Sequence, residues 1–307
     1  VVGSAETDLL RVRSSHRGFH GLVPPAHPVA RPTHPRLHCM LRAPPHLRTV
    51  MAERPADKPR ADAPASPATS TPPAEPGYKA LTKHLPEPRF VPLPGYVRLD
   101  EAQMLARAEA FHRQMEQRRT TRHFAADPVP RRLIELAILT AGTAPSGAHR
   151  QPWRFVAIDD PRLKAKVRAA AEEEELKTYS ERMTDEWREA LHPLGTDHVK
   201  EHLSDAPWLV VLFAEKYGLR PDGSHRKNYY VDESVGIAAG LFVAAIHVMG
   251  LVTLTHTPNP MGFLRDLLGR GTNEKAVLLM PVGYPRPDAT VPDLQRLPLE
   301  AIVQWNA

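Results

Sequence analysis

From Val235 to Leu254 the chain is nearly all apolar, over close to the length needed to cross a bilayer. A stretch of that kind must leave water, either into lipid or into the inside of a fold. It carries Gly236, Gly240, Gly250, His247 and several alanines, and it lacks basic residues at both flanks. A helix that is apolar on every side suits a core or a subunit interface equally well. The sequence therefore predicts a central buried helix over Tyr230 to Met249 and no membrane partner. No apolar run followed by a small-residue cleavage site opens the chain, so no secretory signal is visible and a cytoplasmic location is expected.

A helix of this size needs a core around it, and 307 residues with 42% hydrophobic content can supply one of roughly 200 to 250 residues. The remainder is a tail. More than half of the 33 prolines fall before Asp100, and residues 1 to 75 mix Pro, Arg, His, Ala and Ser without apolar periodicity. Such a segment cannot bury enough surface to offset its chain entropy. The expected division is a disordered leader over 1–75 and a folded domain over 76–307. The formal charge of +5 lies entirely in residues 1–50, where seven arginines face Glu6 and Asp8. Excess charge on a leader is a poor argument for a nucleic-acid partner, which would be recognised by a basic folded face. Met51 opens a less basic stretch, which raises the question of whether residues 1–50 belong to the working protein. The single cysteine, Cys39, also sits in the leader, so the domain has neither a thiolate nucleophile nor a cysteine metal site.

Periodicity then gives the order of elements. Asp100 reads as an N-cap of a helix through Leu105, Ala108 and Met115 that ends at Arg118-Arg119. Val129-Pro130 opens a second helix with an apolar stripe at Leu133, Leu136 and Ala137, stopping at Gly142. Strands are expected at Trp153 to Ile158, Trp208 to Ala214, Leu251 to Thr255 and Ala276 to Val282, with helices at Asp160 to about Tyr179 and Met261 to Leu268. Helices interleaved with strands predict an α/β (α+β) sandwich, a central mixed sheet flanked by helices.

The sequence lacks a dinucleotide-binding glycine fingerprint, a phosphate loop and a paired-histidine zinc spacing, so neither a Rossmann site nor a metal is expected. What it has is a set of short polar segments at element ends. Arg118-Arg119-Thr120-Thr121-Arg122 offers fork-like donors that suit a phosphate; on its own it reads equally as a solvated helix end complementing the dipole. Ala144-Pro145-Ser146-Gly147-Ala148-His149 is either a plain loop or a turn whose backbone N–H groups approach a ligand. Thr255-His256-Thr257-Pro258 is a strand end with two hydroxyls on one side of the pleat. Glu172 to Glu175, taken alone, is a solvated helix face.

Together with Gln151-Pro152-Trp153, with Leu278 to Pro285 and with Val291 to Arg296, these segments resemble the nitroreductase superfamily and, within it, the iodotyrosine deiodinases. The resemblance runs from about Pro88 to Ile302. It implies an FMN-binding fold built as a domain-exchanged homodimer. Carried over residue by residue, it implies that Arg118, Arg119, Thr120, Thr121, Arg122 and Arg296 bind FMN at its phosphate and ring edge. Pro145, Ser146, Gly147, Thr255 and His256 would line or flank the flavin. Thr257 would offer a hydrogen bond near flavin N5 and Ala148 a backbone N–H to a substrate phenolate, the two catalytic positions. Glu175, Tyr179 and Lys200 would form a lid triad, within about 175–200, that grips the amino-acid end of the substrate. A carboxylate suits an ammonium, and a phenol and a lysine suit a carboxylate. Four residues separate Glu175 from Tyr179, which puts them on one helical face. Thr120, Thr121 and His256 depart from the vertebrate pattern.

The resemblance implies FMN-dependent reductive dehalogenation of halotyrosines, with NAD(P)H or a reductase as electron source. Three rivals stand beside it: a general NAD(P)H-dependent nitro or quinone reductase, a flavin-cleaving enzyme, and a flavin- or halotyrosine-binding protein without turnover or a nucleic-acid tether acting through the leader.

Overall fold

The computed structural model describes residues 82–306. The leader over 1–75, with Cys39 and Met51, lies outside them. Residues 82–89 fall in a separate unit, and the account below concerns the unit from Phe90 on.

Its architecture follows from one strand. β2 (Trp208–Glu215) is buried at every position, so it needs a neighbour on each edge and a layer on each face. β1 (Trp153–Ile158) and β6 (Glu274–Gly283) pair with it antiparallel, and β5 (Val252–Thr253) adds to β6, giving the order β1-β2-β6-β5. The mixed character comes from an isolated parallel bridge between Thr120 and Thr253 at the β5 edge. That bridge ties the basic cluster to the sheet.

Alternation along β2 feeds two cores. Trp208, Val210, Leu212 and Ala214 face one side, where they meet α2 (Arg131–Ala141) and the long helix α6 (Val231–Val248). Leu209, Val211 and Phe213 face the other, against α3 (Pro161–Lys177), α5 (His202–Asp205) and α7 (Gly262–Leu267). Each large apolar side chain buried in this way contributes about 1.5–3 kcal/mol before entropy is counted. The α/β sandwich expected from the sequence is therefore the observed one.

The long apolar helix packs as expected on one face only. Val235, Ala238, Ala239, Phe242 and Ile246 are buried at helical spacing, while Gly236, Ile237, Gly240 and Val248 are exposed. It is the one helix among the described residues long and apolar enough to cross a membrane. α1 (Glu101–Glu116) starts at Asp100, whose carboxylate accepts from Gln103 N at 2.8 Å, as the N-cap reading requires.

Two boundaries and one hairpin differ from expectation. The helix from Asp160 ends as α at Lys177 and continues through a π-helical turn over Thr178–Arg182. Thr178 Oγ1 donates to Glu174 O, and Met183 N reaches back five residues to Thr178 O, so the turn widens just past the end of α3. The strand expected over Leu251 to Thr255 is regular only at Val252–Thr253. A hairpin, β3 (Tyr217–Leu219) with β4 (His225–Lys227), was not expected. Its signal was present in Pro221-Asp222-Gly223: Asp222 caps Ser224 N at 2.9 Å and Gly223 has φ +80°.

Candidate functional site

Two cavities lie side by side at the β5 edge of the sheet. The first, of about 340 Å³, is lined by Arg118, Arg119, Thr120, Arg122, Thr255 and Arg296 among others. The second, of about 220 Å³, is lined by Arg122, Glu175, Tyr179, Lys200, Thr255, His256 and Thr257 among others. Arg122, Leu194 and Thr255 belong to both walls. Residues separated by up to 178 positions are thus brought into one continuous site.

The arginine cavity combines both readings of its sequence. Arg119 Nη1 donates to Glu116 O at 2.7 Å, and Arg296 donates to Glu116 O at 2.8 Å and Arg118 O at 2.6 Å. These two side chains satisfy the last carbonyls of α1, where cations are favourable. The same bonds draw Arg296 against Arg118, and burial together with Arg296 and Arg119 holds the Arg118 guanidinium below its ordinary value. Burial does the same to Arg122. Among the described residues, none of these four arginines has a carboxylate within ion-pair distance. Clustered, partly desolvated guanidiniums without a counter-charge favour an anion with several acceptor oxygens, which fits the phosphate of FMN. Thr121 is different: its side chain is buried, and its N–H donates to Thr253 O at 3.4 Å.

The second cavity is a charge cluster closed on itself. Glu175 stands at the end of α3. Its Oε2 lies 3.4 Å from Lys200 Nζ, and its Oε1 lies 2.9 Å from His256 Nε2. Burial alone would raise the Glu175 carboxyl, but the His256 hydrogen bond and the Lys200 charge outweigh it and hold the group below the usual carboxylate range. Lys200 is pulled below its ordinary value by burial, which the carboxylates of Glu175 and Asp197 do not offset. Lys200 also donates to Asp197 O and to Thr196 Oγ1. Tyr179 donates its hydroxyl to Thr196 O at 3.2 Å, and the Lys200 ammonium lies 5.6 Å from its ring centre. Burial raises the Tyr179 phenol.

The segment from Thr178 to Lys200 is tied down at residues for which the sequence analysis named no role. Glu172 accepts from Lys200 N at 2.7 Å and from Arg168 Nε at 2.8 Å, so it pins the far end of that segment to α3. Thr178 and Arg182 both donate to Asn259 O. Beneath His256 lies His202, edge-on at 5.6 Å, with its imidazole pushed down to about 3 by burial and by the positive charges around it. Of these contacts only Arg168 with Glu172, four apart on one helix, has a signal in the local sequence.

The loop over 144–149 is elsewhere in the chain. Pro145, Ser146, Gly147 and Ala148 line neither cavity. The loop is nonetheless a fixed object. Gly147 bridges Tyr229, its N–H points to Ser234 Oγ at 3.4 Å, and Ser146 Oγ accepts from Gln151 N at 2.9 Å. A Cβ at position 147 would meet Tyr229 O at 2.4 Å, which is why glycine is required. Ala148 and His149 both hold positive φ, at 49° and 51°. Strain of roughly 1 kcal/mol or more at a non-glycine residue persists where the surrounding structure enforces it, and such positions cluster at ligand clamps.

At the strand end, Thr255 and Thr257 are exposed towards the cavities while His256 turns inward beneath the lid. Its backbone exchanges two 2.9 Å hydrogen bonds with Leu279 of β6.

The Nitroreductase family profile matches residues 115–284. The iodotyrosine deiodinase of Haliscomenobacter hydrossis is 51% identical over 217 residues, covering 71% of this chain and 97% of that protein. The human iodotyrosine deiodinase 1 is 45% identical over 204 residues, 66% of this chain and 71% of that protein. A crystal structure of oxidized iodotyrosine deiodinase bound to FMN and 3-iodo-L-tyrosine aligns with a TM-score of 0.56 at 28% identity, covering 64% of this chain and 99% of that one.

Proposed function

Because the chain belongs to the nitroreductase family, we propose that it is an FMN-dependent oxidoreductase that removes halogen reductively from halotyrosines. The observation that carries this reading is the adjoining pair of cavities: unpaired arginines on one side, and Glu175, Tyr179 and Lys200 gathered on the other. A reductase of plain nitroaromatics has no use for a buried carboxylate, phenol and ammonium converging on one small space. Relatives that share 44–51% of their residues with this chain are iodotyrosine deiodinases, which supports the same choice.

Arg118, Arg122 and Arg296 with the Thr120 hydroxyl would hold the FMN phosphate; Thr255 on the shared wall and Thr257 in the second cavity would face the flavin. Bound FMN supplies the electrons for replacing a carbon–halogen bond with carbon–hydrogen. The protein's own part is to bind and orient. Glu175 accepts the substrate ammonium; Lys200 and Tyr179 meet its carboxylate. Lid residues around them exclude water, so these charges act in a low-dielectric space. NAD(P)H or a reductase is the electron source we expect.

We place the loop over 144–149 in the site of a second copy. In one chain it lines neither cavity, yet it is held rigid with two strained residues. The outer face of α6 is uncovered at Gly236, Ile237 and Gly240, and Phe90, Val91 and Trp305 are exposed as well. Exposed apolar surface of this kind suits a homodimer whose loop Ala148 N–H completes the partner's cavity.

The test is anaerobic. The FMN-loaded protein is reduced, 3-iodotyrosine or 3-bromotyrosine is added, and flavin absorbance is followed. Reoxidation with tyrosine and halide released in equal amounts is the expected result. Absent reoxidation, together with rapid oxidation by nitroaromatics, would reassign the protein as a general nitro or quinone reductase.

A further inference from the structure

His256 is the one residue of the strand-end segment whose side chain is aimed at the lid. It sits on β6 through both of its backbone groups, each 2.9 Å from Leu279, a residue with no exposure. Its ring is buried, and Nε2 lies 2.9 Å from Glu175 Oε1. Nδ1 is buried without a partner. That asymmetry identifies the form of the ring. A neutral imidazole with its proton on Nε2 donates to the carboxylate and leaves a bare lone pair at Nδ1, whereas a doubly protonated ring would bury an unpartnered N–H beside Lys200, Arg122 and His202. Burial holds His256 below its ordinary value even against the pull of Glu175, which agrees with the neutral form.

The contact joins a helix end to the central sheet. Glu175 is at the last turn of α3, just before the π-helical turn, and lines the cavity with its side chain only 12% exposed. His256 is held on the sheet by both of its backbone groups. A carboxylate at a helix end can turn about its side-chain torsions, and gripping an ammonium needs one fixed orientation. Thr178 and Arg182 tie the lid backbone to Asn259, but neither touches the carboxylate. His256 takes one lone pair of Oε1 and Lys200 approaches Oε2, which leaves acceptor capacity on both oxygens for a third donor.

We infer that His256 is a positioning residue, anchored on the central sheet, whose Nε2–H fixes the Glu175 carboxylate for recognition of a substrate's α-ammonium group. The inference rests on the proposed halotyrosine reading and adds to it the residue that sets selectivity for an amino acid over a simple halophenol.

The test measures dissociation constants on the FMN-loaded protein by flavin absorbance for two ligands, 3-iodotyrosine and its desamino analogue, an iodinated hydroxyphenylpropionate. Three variants separate orientation from bulk. His256→Gln places an amide N–H where Nε2 stands; His256→Asn places one where Nδ1 stands; His256→Phe keeps a ring and no donor. The wild type should prefer 3-iodotyrosine. His256→Asn and His256→Phe should lose about tenfold of that preference, and His256→Gln should keep it to within about threefold, with FMN affinity equal in all of them. If the preference survives in both His256→Asn and His256→Phe, or if all three variants lose it equally, His256 merely fills space and the inference is overturned. Should the wild type bind neither ligand, the halotyrosine reading itself fails, which is a separate outcome. Should His256→Phe not retain FMN, the contrast between His256→Asn and His256→Gln decides alone.

Discussion

The two adjoining cavities are both rich in cations, and they handle that charge in opposite ways. Around the lid, Lys200 and His256 converge on Glu175, and the cluster meets most of its own demands within the chain. Around Arg118, four guanidiniums line or approach one space with no carboxylate among the described residues to answer them. The first arrangement is a cluster whose parts stabilise one another, as the proposed recognition role would need. The second has its electrostatic cost unmet until an anion arrives, so binding there should be steep and should raise the stability of the fold.

The largest effect should come from breaking the uncompensated side. Changing Arg118 and Arg122 together to Ala removes two groups able to form charge-assisted hydrogen bonds, each worth about 1.5–3 kcal/mol. FMN affinity should fall by about a hundredfold or more, measured by flavin fluorescence after dialysis. Melting of the FMN-free protein should hardly change, because neither side chain neutralises a carboxylate. A large loss of FMN-free stability would mean that the arginines are structural and that the contrast is wrong.

The compensated side should respond next. Glu175→Gln keeps shape and loses charge, leaving Lys200 buried without its partner, a cost of about 2 kcal/mol or more. Binding of 3-iodotyrosine should weaken by roughly thirtyfold while FMN affinity changes less than threefold. Equal losses for both ligands would show that the cavities act as one undivided site.

Gly147→Ala asks whether the loop serves the arginine cavity through a second copy. The added methyl group meets backbone at Tyr229 O, 2.4 Å away, and neither can yield cheaply. Overpacking of this kind costs about 1–3 kcal/mol, a few degrees of melting temperature. FMN affinity should fall as well, although Gly147 touches neither cavity within its own chain. A lowered melting temperature with FMN binding intact and a monomeric protein in sedimentation would remove the loop from the site.

Much of this site was legible before any coordinates, and the reason differs by residue. Asp100 as a cap, the proline opening α2 and the apolar stripe of α6 are local signals, and each element stands within a few residues of where it was expected. The inward turn of Glu175 was suggested only through resemblance, because a run from Glu172 to Glu175 is by itself a solvated face. In the structure Glu173 pairs with Lys177 in solvent while Glu175 turns inward to Lys200. What pairs across the fold left no trace in the sequence. His256 bonds to a residue 81 positions away, His202 meets it edge-on, and Glu172 reaches Lys200 over 28 positions. The hairpin at Pro221-Asp222-Gly223 is the opposite case, a local signal that was there to be used.

The smallest predicted effect probes the compensation beneath the lid. His202 is buried, and its imidazole is pushed from 6.5 down to about 3. Because the folded value lies below the unfolded one, the unfolded chain binds more protons at any pH between them. Stability is therefore complete above about 6.5 and declines as the pH falls, by up to about 1.4 kcal/mol per pH unit for one excluded proton, until the folded value is reached. His256, held low by burial, adds to the same window. Glu175 acts lower down, since its depressed carboxyl gives up its contribution only as the pH falls through its folded value. Urea unfolding between pH 6.5 and 5 thus isolates the histidines from the carboxylate. His202→Phe, which keeps an aromatic ring against His256, should flatten that slope by about one proton's worth. An unchanged slope would mean that His202 takes up its proton in the fold, and that the space beneath the lid is wetter than the buried contacts of His256 require.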